Sequence, residues 1–123
     1  GRIINISSVH ATRTSHDFSI YAAAKGGVDM LTRGMAVEMA DDGITVNGIA
    51  PGPVDDTEGV RRLLPPGMRE TLERSIPLGR MAKISEIADA SVFLASDAAA
   101  CISGHVLVVD GGAWLTAPGL RMG

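Results

Sequence analysis

The sequence predicts an α/β chain built on a short parallel sheet, and three observations carry that prediction. Residues 2–6 (Arg2-Ile3-Ile4-Asn5-Ile6) are mostly isoleucine without clean alternation, as in a strand covered on both faces. Residues 44–50 form a second strand-like run, Ile44-Thr45-Val46-Asn47-Gly48-Ile49-Ala50. Between them Val28, Leu31, Met35 and Met39 recur at intervals of three and four, a helical stripe. Strand, helix and strand at this length make a parallel crossover unit.

The first strand ends at Ser7-Ser8, and Val9 to Ser19 mixes His, Thr, Arg, Ser and Asp without period, so it is expected to be a loop. Ser19 is the expected N-cap of the helix that follows. Tyr21 opens that helix thirteen residues after Ser8, and Lys25 follows four residues later on the same face. Gly26 and Gly27 weaken helix propensity, which close packing against another backbone would explain. Gly43 ends the helix. The second strand runs into Pro51-Gly52-Pro53, so Ser8 and Pro51-Gly52 both fall beyond the carboxyl ends of strands, where open α/β sheets bind ligands.

Residues 56–75 carry Arg61, Arg62, Arg69 and Arg74 around Pro65-Pro66 and predict two short helices with a solvated basic face, placed to act as a lid. Asp55-Asp56 is expected at a solvent-facing helix start. A further helix is expected over about 85–96, capped by Ser85 with Glu86 in its first turn, and with apolar surface on more than one face. Gly104 to Gly112 predicts a last strand and a tight turn. The tail from Ala113, with Trp114 and Leu115, is expected to be an arm packed on a neighbour.

Composition narrows the classes. The chain of 123 residues suits one domain, without a separate second one. Hydrophobic residues make up 46% and charged ones 20%, as in globular proteins. A net charge of −3 argues against a nucleic-acid partner. No apolar run reaches a membrane span, so no membrane partner is expected. Cys101 is the single cysteine, expected as a small buried hydrophobe, and it fits a reducing, cytoplasmic setting. His10, His16 and His105 lack metal-ligand spacing, and no metal is expected. Ser8 after a strand raises serine hydrolysis, but the Gly-x-Ser-x-Gly elbow is absent.

Ser8, Tyr21 and Lys25 share a chemical logic. A free phenol, with a pKa of about 10, is a poor base at neutral pH, and a nearby cation favours its anion. Lys25 would supply that charge, and Ser8 a hydroxyl to the same reacting oxygen.

The string Gly1 to Ser8, with Tyr21-Ala22-Ala23-Ala24-Lys25-Gly26-Gly27-Val28, closely resembles the short-chain dehydrogenase/reductase family. Val46 to Gly52 matches a second motif of that family. Pro77-Leu78-Gly79-Arg80, Phe93 to Asp97 and Val108 to Gly112 repeat its C-terminal pattern. The resemblance implies the C-terminal, catalytic and substrate-binding half of a doubly wound Rossmann-type sheet, with three strands and their helices and without the nucleotide-binding N-terminal half. The Gly-rich turn that binds pyrophosphate is not found, and Gly111-Gly112 does not lead into a helix. Nor does Asn47 replace the family's catalytic Asn.

The resemblance further implies hydride transfer between a nicotinamide, NAD or NADP, and a carbonyl or secondary alcohol on a small-molecule substrate. Tyr21 would carry the proton, Ser8 would bind the substrate oxygen, and Lys25 would act on Tyr21 and the nicotinamide ribose. Pro51, Gly52 and backbone near Val54 would lie along the nicotinamide. The family places a Thr where Asp56 stands. Either a carboxylate replaces the hydroxyl or the loop holds one extra residue; Thr57 is preferred, because a carboxylate would repel cofactor phosphates.

Ser7-Ser8-Val9-His10, Phe18 and Tyr21 to Gly27 look most like glucose 1-dehydrogenases, with 3-oxoacyl-carrier-protein reductases as runner-up and an inactive oligomerising fragment as the alternative of another class. His10 would touch a polar substrate or be satisfied by backbone. Homodimers or homotetramers are implied for the complete protein. The 123-residue chain alone is expected to be marginal or to aggregate.

Overall fold

The computed structural model describes residues 1–116. Three strands, β1 (Arg2–Ile6), β2 (Thr45–Pro51) and β3 (Val106–Val109), form one parallel sheet in that order. Ile6 lies opposite Ile49, and Pro51 opposite Val109, so β1 and β2 both end on the same side. β2 is central and buried from Val46 to Ala50. Its Ile49 joins Leu94 and Ala99 in the core, against which Ile4, Ile87, Ile102, Leu107 and Val109 pack.

The crossover helix α1 spans Ser19–Glu38. A 3-10 turn at Ala40–Asp42 follows, and Gly43, in the left-handed region at φ 69°, closes it. The helix starts at Ser19 itself, with Phe18 in the cap position and no side-chain cap bond, so Ser19 is not the N-cap. Phe18 is held instead by stacking on His10, and tertiary packing sets the entry point that capping chemistry suggested for its neighbour.

The buried residues of α1 are Asp29, Thr32 and Ala36, whereas Leu31 of the apolar stripe is 56% exposed. Asn5 on β1 reaches this buried face, donating to the Thr32 hydroxyl at 3.0 Å, while Thr32 donates to the Val28 carbonyl. A polar seam therefore joins α1 to the sheet, and of the stripe read from the sequence Val28, Met35 and Met39 are half-buried while Leu31 points outward. Gly26 would bring a Cβ only to ordinary contact with the Ala11 carbonyl, and Gly27 meets nothing within 4 Å, so Gly27 is not explained by packing within this chain.

Helices α2 (Glu58–Leu63) and α3 (Arg69–Ser75) are separated at the prolines, as expected. Their arginines are exposed and paired with acids: Arg62 with Glu58, Arg74 with Glu70, Arg69 with Asp55 and Glu73. Asp55 is thus tied to α3, and Thr57 rather than the acidic pair caps α2.

Helix α4 spans Ile84–Ala95. Its cap residue is Lys83, not Ser85: Glu86 turns back to accept the Lys83 amide at 2.8 Å and both guanidinium nitrogens of Arg80. Cys101 is exposed rather than buried, because Ala99 and Ile102 on either side take the inward positions of this turn.

After β3, Ala113–Leu115 forms a 3-10 turn that folds back on the chain itself, with Arg13 donating to the Trp114 carbonyl. The rest of the expected arm, from residue 117, lies outside the described residues. Among the described residues no helix is long and apolar enough to cross a membrane.

Candidate active site

Ser8 stands just past β1, in extended backbone, and caps a 3-10 turn at Val9–Ala11 that interrupts the expected loop. Its Oγ accepts the His10 amide at 3.2 Å. A serine hydroxyl offers one proton and two lone pairs. One lone pair is used here, and the O–H is left to donate. Ser8 is buried, so the donor is held in one place rather than lost to bulk solvent.

Tyr21 and Lys25 rise from the first turns of α1. Lys25 Nζ lies 5.9 Å from the Tyr21 ring centroid, so the four-residue spacing does put cation and phenol on one wall. One N–H of Lys25 goes to the Ile6 carbonyl at 3.0 Å, which ties the ammonium to the end of β1 and leaves two N–H donors. Tyr21 is 44% exposed, and its hydroxyl is engaged by no described residue.

His10 joins the serine to the tyrosine. Its amide holds Ser8, and its ring meets the edge of Tyr21 at 5.8 Å between centroids. The other face of the imidazole stacks on Phe18 at 4.4 Å, nearly parallel. The buried Nδ1 of His10 has no partner among the described residues. Burial holds its pKa below 6.5, because the charged form would lose solvation. The backbone therefore does not satisfy this nitrogen, and a neutral ring with a buried, unpartnered Nδ1 sits against Phe18 and Tyr21.

The second wall follows β2. A Cβ on Gly52 would fall 2.6 Å from the Asp110 Cβ, so only glycine lets this loop pass the C-terminal turn. Asp110 is buried and accepts the Gly112 and Trp114 amides, fixing that turn. Val54 makes an isolated parallel bridge with Ala82, in which Asp55 donates to the Ala82 carbonyl and Ala82 donates to the Pro53 carbonyl. The Val54 amide itself donates to no described residue.

Asp56 takes a left-handed conformation at φ 58°. Thr57 follows it in the cap position of α2. There Thr57 donates to the Val54 carbonyl at 2.7 Å and accepts the Val60 amide at 3.3 Å.

Asn47 takes no part in this site. It lies buried in β2, donates to the Ile102 carbonyl at 2.9 Å and accepts the His105 amide at 3.0 Å. Arg13 and Trp114 are neighbours of the site that sequence patterns do not mark. Arg13 sits in an aperiodic loop, and its partner is 101 residues away. Among the described residues no three His, Cys, Asp or Glu side chains gather as a metal site would require.

The chain and its parallel sheet have counterparts among known proteins. Residues 1–113 match the family model described as enoyl-(acyl carrier protein) reductase. The chain is 44% identical to 3β-hydroxysteroid dehydrogenase 1 of Eggerthella lenta over all of its own length and 47% of that protein. It is also 44% identical to a 3-oxoacyl-[acyl-carrier-protein] reductase of Pseudomonas aeruginosa, covering 94% of this chain and 46% of the relative. The crystal structure of a gluconate 5-dehydrogenase from Burkholderia cenocepacia, in complex with NADP and tartrate, superposes with a TM-score of 0.88 at 40% identity, covering 95% of this chain and 46% of that one. The chain belongs to the short-chain dehydrogenase/reductase family. It spans about half the length of the relatives it matches, with the fold of their C-terminal half.

Proposed function

We propose that the complete protein is an NAD- or NADP-dependent oxidoreductase that interconverts a secondary alcohol and a carbonyl on a small molecule. The observation that carries this is Lys25 beside Tyr21 and tied to the end of β1, with Ser8 just past that end. Ser8 has a hydroxyl proton to donate, Tyr21 a free phenol, and Lys25 a charge beside it. In reduction, Tyr21 gives its proton to the carbonyl oxygen while Ser8 donates a hydrogen bond to the same atom; in oxidation the proton returns to Tyr21. Lys25 stabilises negative charge on the phenol oxygen between turnovers. Proton transfer from a positioned group of this kind contributes about 10²- to 10⁴-fold.

The residues present fit the nicotinamide end of such a cofactor. The Val54 amide has a donor to spare for the carboxamide, and Lys25 has two for the ribose. Pro51 and Gly52 bring the loop across the strand ends, and Thr57 holds it there through the Val54 carbonyl. When bound, the nicotinamide supplies or accepts the hydride. His10 lines a cavity next to Ser8 and would contact the substrate from there. A homodimer or homotetramer in the cytoplasm belongs to the same reading.

The substrate is read first as a sugar, from the likeness of residues 7–10 and 18–27 to glucose 1-dehydrogenases, and His10 favours it as a polar contact. A 3-oxoacyl thioester is the second reading, supported by the carrier-protein reductase among the relatives. Turnover of glucose and of a 3-oxoacyl thioester, each with NAD(H) and NADP(H), separates them. Glucose is expected to react faster, and turnover confined to the thioester would reverse the order. An inactive protein that only assembles would turn over neither.

A further inference from the structure

Loop residues 12–15 place Arg13 at the wall of a cavity of about 150 Å³. Val9 and His10 line one side, directly after Ser8. Pro53 lines another, at the loop after β2, and Leu72 of α3 and Trp114 complete the wall. The cavity lies beside the residues that follow Ser8 and reaches α3, while Ser8, Tyr21 and Lys25 do not line it themselves. Its polar groups are uneven. Several lining hydroxyls already have partners: Ser75 donates to Leu72, and Thr116 to Ser75 and Ala113. His10 Nδ1 has none.

Arg13 is the cation on this wall. The arginines of α2 and α3, and Arg80, each face a carboxylate. Arg13 has no carboxylate partner among the described residues, and no Asp or Glu lines the cavity. Its guanidinium is aimed by one hydrogen bond to the Trp114 carbonyl, which leaves most of its five donors unused. A half-buried guanidinium held by backbone, with apolar walls on either side, is completed by an anion able to take two parallel hydrogen bonds.

We propose that this cavity binds the carboxylate of a compact hydroxy- or oxo-acid, with Arg13 as the residue that selects it. The carbon skeleton lies against Val9, Pro53 and Leu72, and the reacting carbon–oxygen bond points back toward Ser8 and Tyr21. This deepens the hydride-transfer reading, rests on it for the orientation of the substrate, and puts an acid ahead of both glucose and the thioester as substrate, while the selection of an anion rests on Arg13 alone.

The test is calorimetric titration of the complete protein, saturated with NADPH, with cyclohexanecarboxylate and with cyclohexanecarboxamide, which differ in charge and little in shape. The carboxylate is expected to bind about tenfold or more tightly than the amide, the scale of hydrogen bonds to a charged group. Arg13→Gln removes that preference and Arg13→Lys keeps part of it, which separates loss of charge from a misfolded loop. Equal affinities, binding of neither compound, or a preference that survives in Arg13→Gln would overturn the proposal. Binding is read without turnover, so a failure of the hydride-transfer reading would appear instead as an inactive enzyme that still prefers the acid.

Discussion

Asn47 lies one strand away from the reacting groups, and it pins the segment leading into β3 onto β2 through two backbone hydrogen bonds. Removing its amide leaves the Ile102 carbonyl and the His105 amide, which meet Asn47 in part-buried hydrogen bonds, without partners. Asn47→Ala is therefore expected to destabilise the complete protein by about 2–3 kcal/mol, read as a lower urea midpoint, with KM for the cofactor unchanged. A variant as stable as the parent would show that water replaces those bonds. Ser8, Tyr21 and Lys25 were legible in the sequence because their relation is local: a strand end, a short connection and one helical turn. The partners of Arg13 and Asn47 were not, since they lie 101 and about 55 residues away and depend on how the C-terminal turns close over β2.

The elements themselves follow from periodicity, but their ends follow from contacts. Helix α1 enters on Phe18 because that ring is stacked on His10, and the hydroxyl of Ser19 is left without a capping role. Its apolar stripe is only half-buried apart from exposed Leu31: the fully buried positions are Asp29, Thr32 and Ala36, with Thr32 joined to β1 by a hydrogen bond from Asn5. Helix α4 starts where Glu86 can reach both Arg80 and the Lys83 amide, two residues before the Ser85 cap would have it.

That pairing has a pH signature. The Arg80 guanidinium, together with the Lys83 amide, pulls the Glu86 carboxyl from 4.5 down to about 2. The folded state then favours the carboxylate more than the unfolded chain does. Its stabilising effect is complete above about pH 4.5 and is lost as pH falls through that value toward 2. Glu86→Gln should remove this part of the acid sensitivity. Urea midpoints measured between pH 6 and 3 should fall less steeply for the variant than for the parent. Parallel curves would mean that solvent screens the exposed pair entirely.

For the whole molecule, β1 pairs on one side only among the described residues, with Ile6 about half exposed. Helix α1 turns Ile20, Met30, Leu31 and Val37 outward. An open parallel edge and uncovered apolar side chains invite pairing with other chains. Expressed by itself, the 123-residue chain is expected to elute as aggregates or mixed oligomers in size exclusion with light scattering. A single monomeric peak with cooperative unfolding would show that these surfaces tolerate water.

The parallel crossover from β1 to β2, and the strand ends beyond which the candidate site lies, were readable from two strands and one helix. The cavity under α3 was not, because it is assembled from four separate stretches of chain. The account as a whole turns on Tyr21 carrying the proton. Tyr21→Phe in the complete protein keeps the ring against His10 and removes only the hydroxyl. Steady-state turnover should fall by about 10²-fold or more, while NADPH binding, followed by fluorescence, stays within twofold of the parent. A variant that turns over at a near-normal rate would contradict the account.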